Sequence, residues 1–288
     1  MPFYDLNVSM GNGEKTSRLE AIAKRLVELK YLKACVCTES FGKVPKCRNE
    51  ELDEEIRKRN ETKTVIKDVR IGKQSPTLLS RITITGENLS HFQGISIKNP
   101  ILGSYDVVAG SPQTQQTFKF LCCECAAIDI ITIDSEQRLP YVLNRSDIDT
   151  AIKRGIHFEI TYSGAVRDAS QRRYFVSNAM TLVRATRGRN IIISSGADSD
   201  HVLRSPHDAL NLGVLAGLTF EQARACLSTN CENVLEHAKS RSFHKGFVRV
   251  ESTKDLDEES ESWMKTDQIS SLLSSEKNES SAKDFIRL

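Results

Sequence analysis

Between Lys153 and Arg189 the chain carries eight basic residues, Lys153, Arg154, Arg167, Arg172, Arg173, Arg184, Arg187 and Arg189, against two acidic ones, Glu159 and Asp168. Seven of the eight are arginine. Guanidinium makes planar, paired hydrogen bonds to phosphate oxygens, so the choice of arginine over lysine points to a polyanion. At about 100° per residue, Arg173, Arg184 and Arg187 share one sector of a helix beside an apolar stripe of Phe175, Ala179, Leu182 and Val183. Arg172 lies close to that stripe near the helix start and is expected to reach toward a rim that also holds Arg167, read as a loop residue. Ser194 and Ser195, together with the amides of the helix that Ser205 and Pro206 begin, would add neutral phosphate donors. A solvated helix face has the same pattern, so the arginines alone do not decide.

The competing chemistry is a bound metal. His201 and His207 follow a strand, with Asp198, Asp200 and Asp208 nearby, and would suit a metal-dependent phosphoesterase. Against it, none of the six histidines forms an H-x-H pair, and His157 opens its strand at the face away from a barrel's working end. Cys122, Cys123 and Cys125 have C-x-C spacing with no second pair or nearby histidine, so they read as small buried residues at a helix end. No phosphate-binding P-loop, dinucleotide glycine motif or nucleophile elbow occurs. Glu159, inside a strand, reads as an interior carboxylate held by a partner. No catalytic residue is expected.

The elements that would position these groups follow a regular order. Short apolar strands begin at Phe3, Ala34, Leu78, Tyr105, Ile128, His157 and Asn190, and helical stretches lie between them at about 17–30, 113–125, 147–153 and 170–187. Beyond Ser205–Pro206 a further helix and a helical hairpin, Phe220 to about Lys239, are expected. Parallel βα units follow, in a TIM-like α/β barrel over residues 1–249 rather than the open doubly wound sheet that the same alternation permits. Residues 47–64 are charged and read as a solvated excursion.

With 288 residues and 39% hydrophobic content the chain can bury a sizeable core. No run approaches the ~20 apolar residues of a membrane helix, and the start lacks a signal-peptide pattern, so an intracellular protein with free thiols is expected. The net charge of +2 conceals an asymmetry. Residues 250–288 hold ten acidic and five basic residues, leaving about +7 on the rest. That serine-rich segment is expected to be a disordered acidic tail.

Three blocks carry a resemblance: Ala165–Tyr174 (AVRDASQRRY), Gly188–Ser195 (GRNIIISS), and Pro206–Gly213 (PHDALNLG) continuing to Leu227–Cys231 (LSTNC). Asp5-Leu6-Asn7-Val8 and Tyr105–Ala109 fit the same pattern. Together they resemble the thirty-kilodalton protein subunit family of eukaryotic and archaeal ribonuclease P, shared in eukaryotes with ribonuclease MRP. The resemblance spans about residues 3–249 and is weakest at 40–75. It implies a barrel distantly similar to polymerase-and-histidinol-phosphatase domains, which carry metal-binding histidines after the first strand. Here Asp5-Leu6-Asn7 stands in that place, without histidine. The resemblance further implies a non-catalytic RNA-binding subunit in the nucleus and nucleolus, binding no cofactor itself. Its partners would be a catalytic RNA that uses Mg²⁺ to remove the 5′ leader of precursor tRNA, a small ferredoxin-like subunit and other subunits. Precursor ribosomal RNA would be processed in the MRP particle.

Overall fold

In a computed structural model, residues 2–9, 15–42, 54, 76–96 and 99–241 are described. The expected excursion at 47–64, apart from residue 54, and the tail at 250–288 lie outside them. Seven strands form one sheet in chain order: β1 (Tyr4–Ser9), β2 (Lys33–Phe41), β3 (Thr77–Gly86), β4 (Val107–Pro112), β5 (Ile130–Ile133), β6 (His157–Thr161) and β7 (Ile191–Ser194). Every pairing is parallel. The ring nearly closes through Val8 and Ala197, where the Ser9 amide donates to Ala197 O and the Gly196 amide to Asn7 O. Gly196 has φ +60, a left-handed turn that glycine adopts without Cβ strain, and it swings the chain from β7 onto β1. The doubly wound alternative is excluded by this ring order.

Strand alternation sorts the side chains into an outer layer and a bore. Ile82, Ile84, Val108, Ile131, Ile133, Phe158, Ile160, Ile191 and Ile193 face outward into the main core with the flanking helices. These helices include α4 (Gln115–Cys123), α5 (Arg145–Lys153) and α7 (Ala169–Thr186). Helix α1 (Lys15–Glu28) packs Leu19, Ile22 and Leu26 against Val8, Ala34 and Val36. The chain from Ala197 to Leu203 joins that second cluster, covering the seam between first and last strands. Helix α1 begins at Lys15, two residues before the expected start at about 17.

The strand ends of the bore meet different covers. At the N-terminal end Tyr4, Leu6, Cys35, Val107, Ala109, Ile130 and Ile192 pack against Cys231, Val234, Leu235 and Ala238 of α10 (Thr229–Arg241). That helix is the second arm of the expected hairpin, after α9 (Phe220–Cys226). It is tied by Tyr4 Oη donating to Glu232 (2.6 Å) and Asn230 Nδ2 to Ile191 O (2.7 Å). His237 Nδ1 lies 2.9 Å from the buried Asp129 carboxylate, which Arg241 Nε also approaches at 3.5 Å. So a helix plugs the bottom.

Three short helices do not appear in the periodicity: α2 (Leu89–Phe92), α3 (Pro100–Gly103) and α6 (Ser163–Arg167). Each is one turn or little more, too short for a repeating apolar pattern. Arg167, expected on a loop, ends α6. Helix α8 (Pro206–Leu215) starts as expected, with Ser205 Oγ accepting the Asp208 amide and Pro206 at the first position.

Candidate nucleic-acid interface

The bore above the plug is polar. Arg81, in the middle of β3, is fully buried and donates to both oxygens of the equally buried Glu159 at 2.5 Å. Its remaining donors reach Leu6 O (2.6 Å), Thr132 Oγ1 (3.0 Å) and Thr83 Oγ1 (3.1 Å). Glu159 also accepts from Ser194 Oγ (2.7 Å), Thr132 Oγ1 (2.8 Å) and Asn7 Nδ2 (3.2 Å). Burial alone would push the Glu159 carboxyl up, but the Arg81 charge and its hydrogen bonds outweigh it and hold it below the usual carboxylate range. A register shift in β1 between Asp5 and Val8 inserts an extra residue, which turns both Leu6 and Asn7 toward the interior. A cation thus already occupies the centre of the bore, fully hydrogen-bonded.

Asp5 lies beside this pair. Its Oδ1 accepts the amides of Asn7 (3.2 Å) and Ser195 (3.0 Å), while its Oδ2 has no partner. Burial lifts its pKa to about 6, against the pull of the Ser195 and Asn7 hydrogen bonds.

Ser194 and Ser195, expected as phosphate donors at the rim, are instead spent inside. Ser194 Oγ donates to Glu159, and Ser195 Oγ donates to Asn7 O at 3.0 Å. Both residues are buried to within 1%. The physical reason is closure of the ring: the end of β7 must pair with β1, which draws both side chains away from solvent.

The arginines separate into two groups. Arg167, Arg172 and Arg173 stand where β6 gives way to α6 and α7, at the C-terminal ends of the strands. Arg167 forms an ion pair with Asp198, and Arg172 Nε donates to Ala165 O (2.8 Å), the reach toward the rim that its helical position implies. The mouth is of mixed sign here. Burial and then Asp134 push the Glu136 carboxyl up, Arg167 pulls it down, and Glu39 and Asp198 act from nearby. Arg184 and Arg187 lie at the other end of α7, beyond ~16 Å of helix from Arg173. One rim therefore does not hold all five. Phe175, Asn178, Ala179, Leu182 and Thr186 form the buried face, so Arg173 and Arg184 stand diametrically opposite the core rather than beside it.

The histidine and aspartate set does not converge. Asp198 is engaged by Arg167 at the mouth, and His201 is 92% exposed, 3.6 Å from Asp200. Asp208 accepts from Ser205 Oγ, and His207 packs edge-on against Phe3, which precedes β1 at the opposite end. No group of three or more His, Cys, Asp or Glu suited to a metal occurs among the described residues. Cys122 and Cys125 are buried free thiols, with Cys122 near the end of α4 as its spacing implied. The residue that sequence reasoning missed is Arg81. Its signal was a lone arginine at an inward position of the β-branched run Leu78–Thr85.

The fold and the bore together define a class: a parallel α/β barrel plugged at one end, its centre filled by a buried ion pair, with arginines along one outer helix. The model of the family described as ribonuclease P subunit p30 matches residues 2–242, and the chain belongs to that family. It is 44% identical over 199 residues to the Arabidopsis thaliana protein GAMETOPHYTE DEFECTIVE 1, covering 67% of this chain and 34% of that one. It is 35% identical to the mouse ribonuclease P protein subunit p30, covering 62% of this chain and 66% of that one. A probable ribonuclease P protein subunit 3 of Schizosaccharomyces pombe is 32% identical over 83% of this chain and 94% of its own length. The chain thus spans about a third and just under two thirds of the first two relatives. A chain in a structure of archaeal ribonuclease P with mature tRNA shares the fold, at TM-score 0.59 and 14% identity, covering 88% of this chain and all of that one.

Proposed function

We propose that this chain is an RNA-holding protein subunit of ribonuclease P, and of the related MRP particle, and that it performs no chemistry itself. The catalytic RNA with its own Mg²⁺ removes the 5′ leader of precursor tRNA, and in MRP precursor ribosomal RNA is processed. A small ferredoxin-like subunit and further protein subunits complete the particle, which works in the nucleus and nucleolus. The observation that carries this reading is the Arg81–Glu159 pair. It fills the centre of the bore, beneath the C-terminal strand ends where a barrel enzyme would hold a metal or substrate. Charge for RNA is then supplied from outside the bore, by Arg167, Arg172, Arg173, Arg184 and Arg187. The metal-dependent phosphoesterase reading is not favoured, because its candidate ligands lie apart.

The test is a filter-binding titration of the full chain with the ribonuclease P RNA across a salt series. Replacing Arg172 and Arg173 together by Ala is expected to weaken binding, with a salt slope shallower by one to two units, about one for each phosphate left without its arginine. The circular dichroism spectrum should not change. An unchanged slope would move the RNA-binding surface away from these residues.

A further inference from the structure

Helix α7 contains no acidic residue from Ala169 through its C-cap Arg187. The face turned away from the core carries Arg173, Ser177, Thr181, Arg184 and Arg187, all exposed, with Met180 among them. The nearby carboxylates are engaged elsewhere: Asp168 caps the Gln171 amide, Asp149 pairs with Arg189, and Asp198 pairs with Arg167. The face is therefore a straight rod about 27 Å long, cationic toward both ends and lined with hydroxyls between. Thr181 Oγ1 donates to Ser177 O at 2.8 Å, which leaves its oxygen lone pairs facing outward as acceptors.

Resting on the RNA-holding reading, we infer that this face lies across the wide, shallow minor groove of an RNA double helix. Arg173 and Arg184 meet phosphates on the two edges, and Ser177 and Thr181 meet 2′-hydroxyls on the floor. Three features favour a duplex over a single strand. The two arginines stand about 16 Å apart on a rigid element, so they suit two separated phosphate edges better than neighbouring phosphates. Single strands are held by successive bases stacked on several aromatic rings, and the only exposed ring on α7 is Tyr174, which borders the face beside Thr181. A-form RNA offers sugar hydroxyls and backbone across its minor groove and is recognised there by shape.

The full chain is titrated by fluorescence anisotropy against a ~16-base-pair RNA duplex, a DNA duplex of the same sequence and the single RNA strand, over a salt series. The RNA duplex is expected to bind at least about tenfold tighter than the strand. Arg173→Ala and Arg184→Ala should each make the salt slope for the duplex shallower by about one unit, and by about two together. Ser177→Ala with Thr181→Ala should reduce the preference for RNA over DNA a few-fold without changing the slope, because no charge is removed. The inference is overturned if the strand binds as tightly as the duplex, or if either arginine leaves the slope unchanged. Binding of an acidic protein through these arginines with no duplex binding would also overturn it. RNA binding that persists through other residues would remove this siting alone, whereas no binding to any RNA would remove the parent reading as well.

Discussion

The bore concentrates the cost of folding in a few side chains. Arg81 and Glu159 are both fully withdrawn from water, and only their mutual contact and the surrounding hydroxyls offset that desolvation. Glu159→Gln leaves a buried guanidinium without its counter-charge and is expected to lower stability by roughly 3–5 kcal/mol in urea unfolding. Replacing both, Arg81→Met with Glu159→Leu, should recover much of that loss, because no uncompensated charge remains. A double variant as unstable as the single one would mean that the pair holds the strands together by more than charge balance. Asp5 has the opposite sign. Its folded pKa of about 6 exceeds the ordinary 3.8, so the folded state retains a proton that the unfolded chain has lost. Stability from this group is present at low pH and is lost as pH rises through 6. Asp5→Asn keeps an acceptor for the Asn7 and Ser195 amides and removes the buried charge. Its unfolding free energy in urea should exceed that of wild type at pH 8 by up to roughly 3 kcal/mol, with the gain shrinking toward pH 4. An equal gain at both values would refute the buried carboxylate account. The interior role of Glu159 was legible from its place in a strand. Its partner was not, because nothing local in β3 marks which strand across the bore an arginine will face.

Among the elements, the plug depends on a small electrostatic clamp. Asp129 is buried and meets His237 and Arg241 of α10, and its Oδ2 also accepts the Val108 amide at 2.9 Å. Asp129→Ala should speed hydrogen exchange in Thr229–Arg241 at least about tenfold relative to α7, which corresponds to more than ~1.4 kcal/mol of local stability. Uniform acceleration through both helices would instead mean that α10 opens only with the whole barrel. Nearby, burial depresses His157 to about 4, below its ordinary 6.5. Its contribution is full above pH 6.5 and is lost as pH falls toward 4, opposite in direction to Asp5. His157→Gln should therefore move the acid-unfolding midpoint to lower pH, and a midpoint that stays in place would assign the acid sensitivity elsewhere. Strand and long-helix positions were readable to within about two residues because buried β-branched runs and 3.6-residue periodicity extend over several turns. The strand expected to begin at Tyr105 begins at Val107 instead, since Asp106 turns aside to accept the Ser80 amide and hydroxyl at 2.7 Å. The reassignment of Ser194 and Ser195 has a similar cause: sequence places them at a strand end, and only ring closure decides that the end is inside.

At the scale of the molecule, the chain separates a bore that is filled from an outer helix that is cationic. Helical spacing brought Arg173, Arg184 and Arg187 onto one face, but spacing on a helix does not reveal which end of a barrel each residue reaches. The structure divides them between the two ends of α7, and the resulting rod suits an extended RNA surface better than a single rim. The same division explains why the loop after β7 carries histidine and aspartate without gathering them. That segment runs over the seam of the ring, where Tyr31 Oη donates to Arg204 O and the Arg204 amide donates to Tyr162 Oη. The proposed reading, a protein that supports a cutting RNA, is tested most directly on the particle itself. Tagged full-length chain, purified gently from its own cells, is assayed for removal of the 5′ leader from precursor tRNA before and after digestion of the bound RNA. The expected result is activity that co-purifies with the chain and vanishes with the RNA. Leader removal that survives complete RNA digestion would contradict the non-catalytic role.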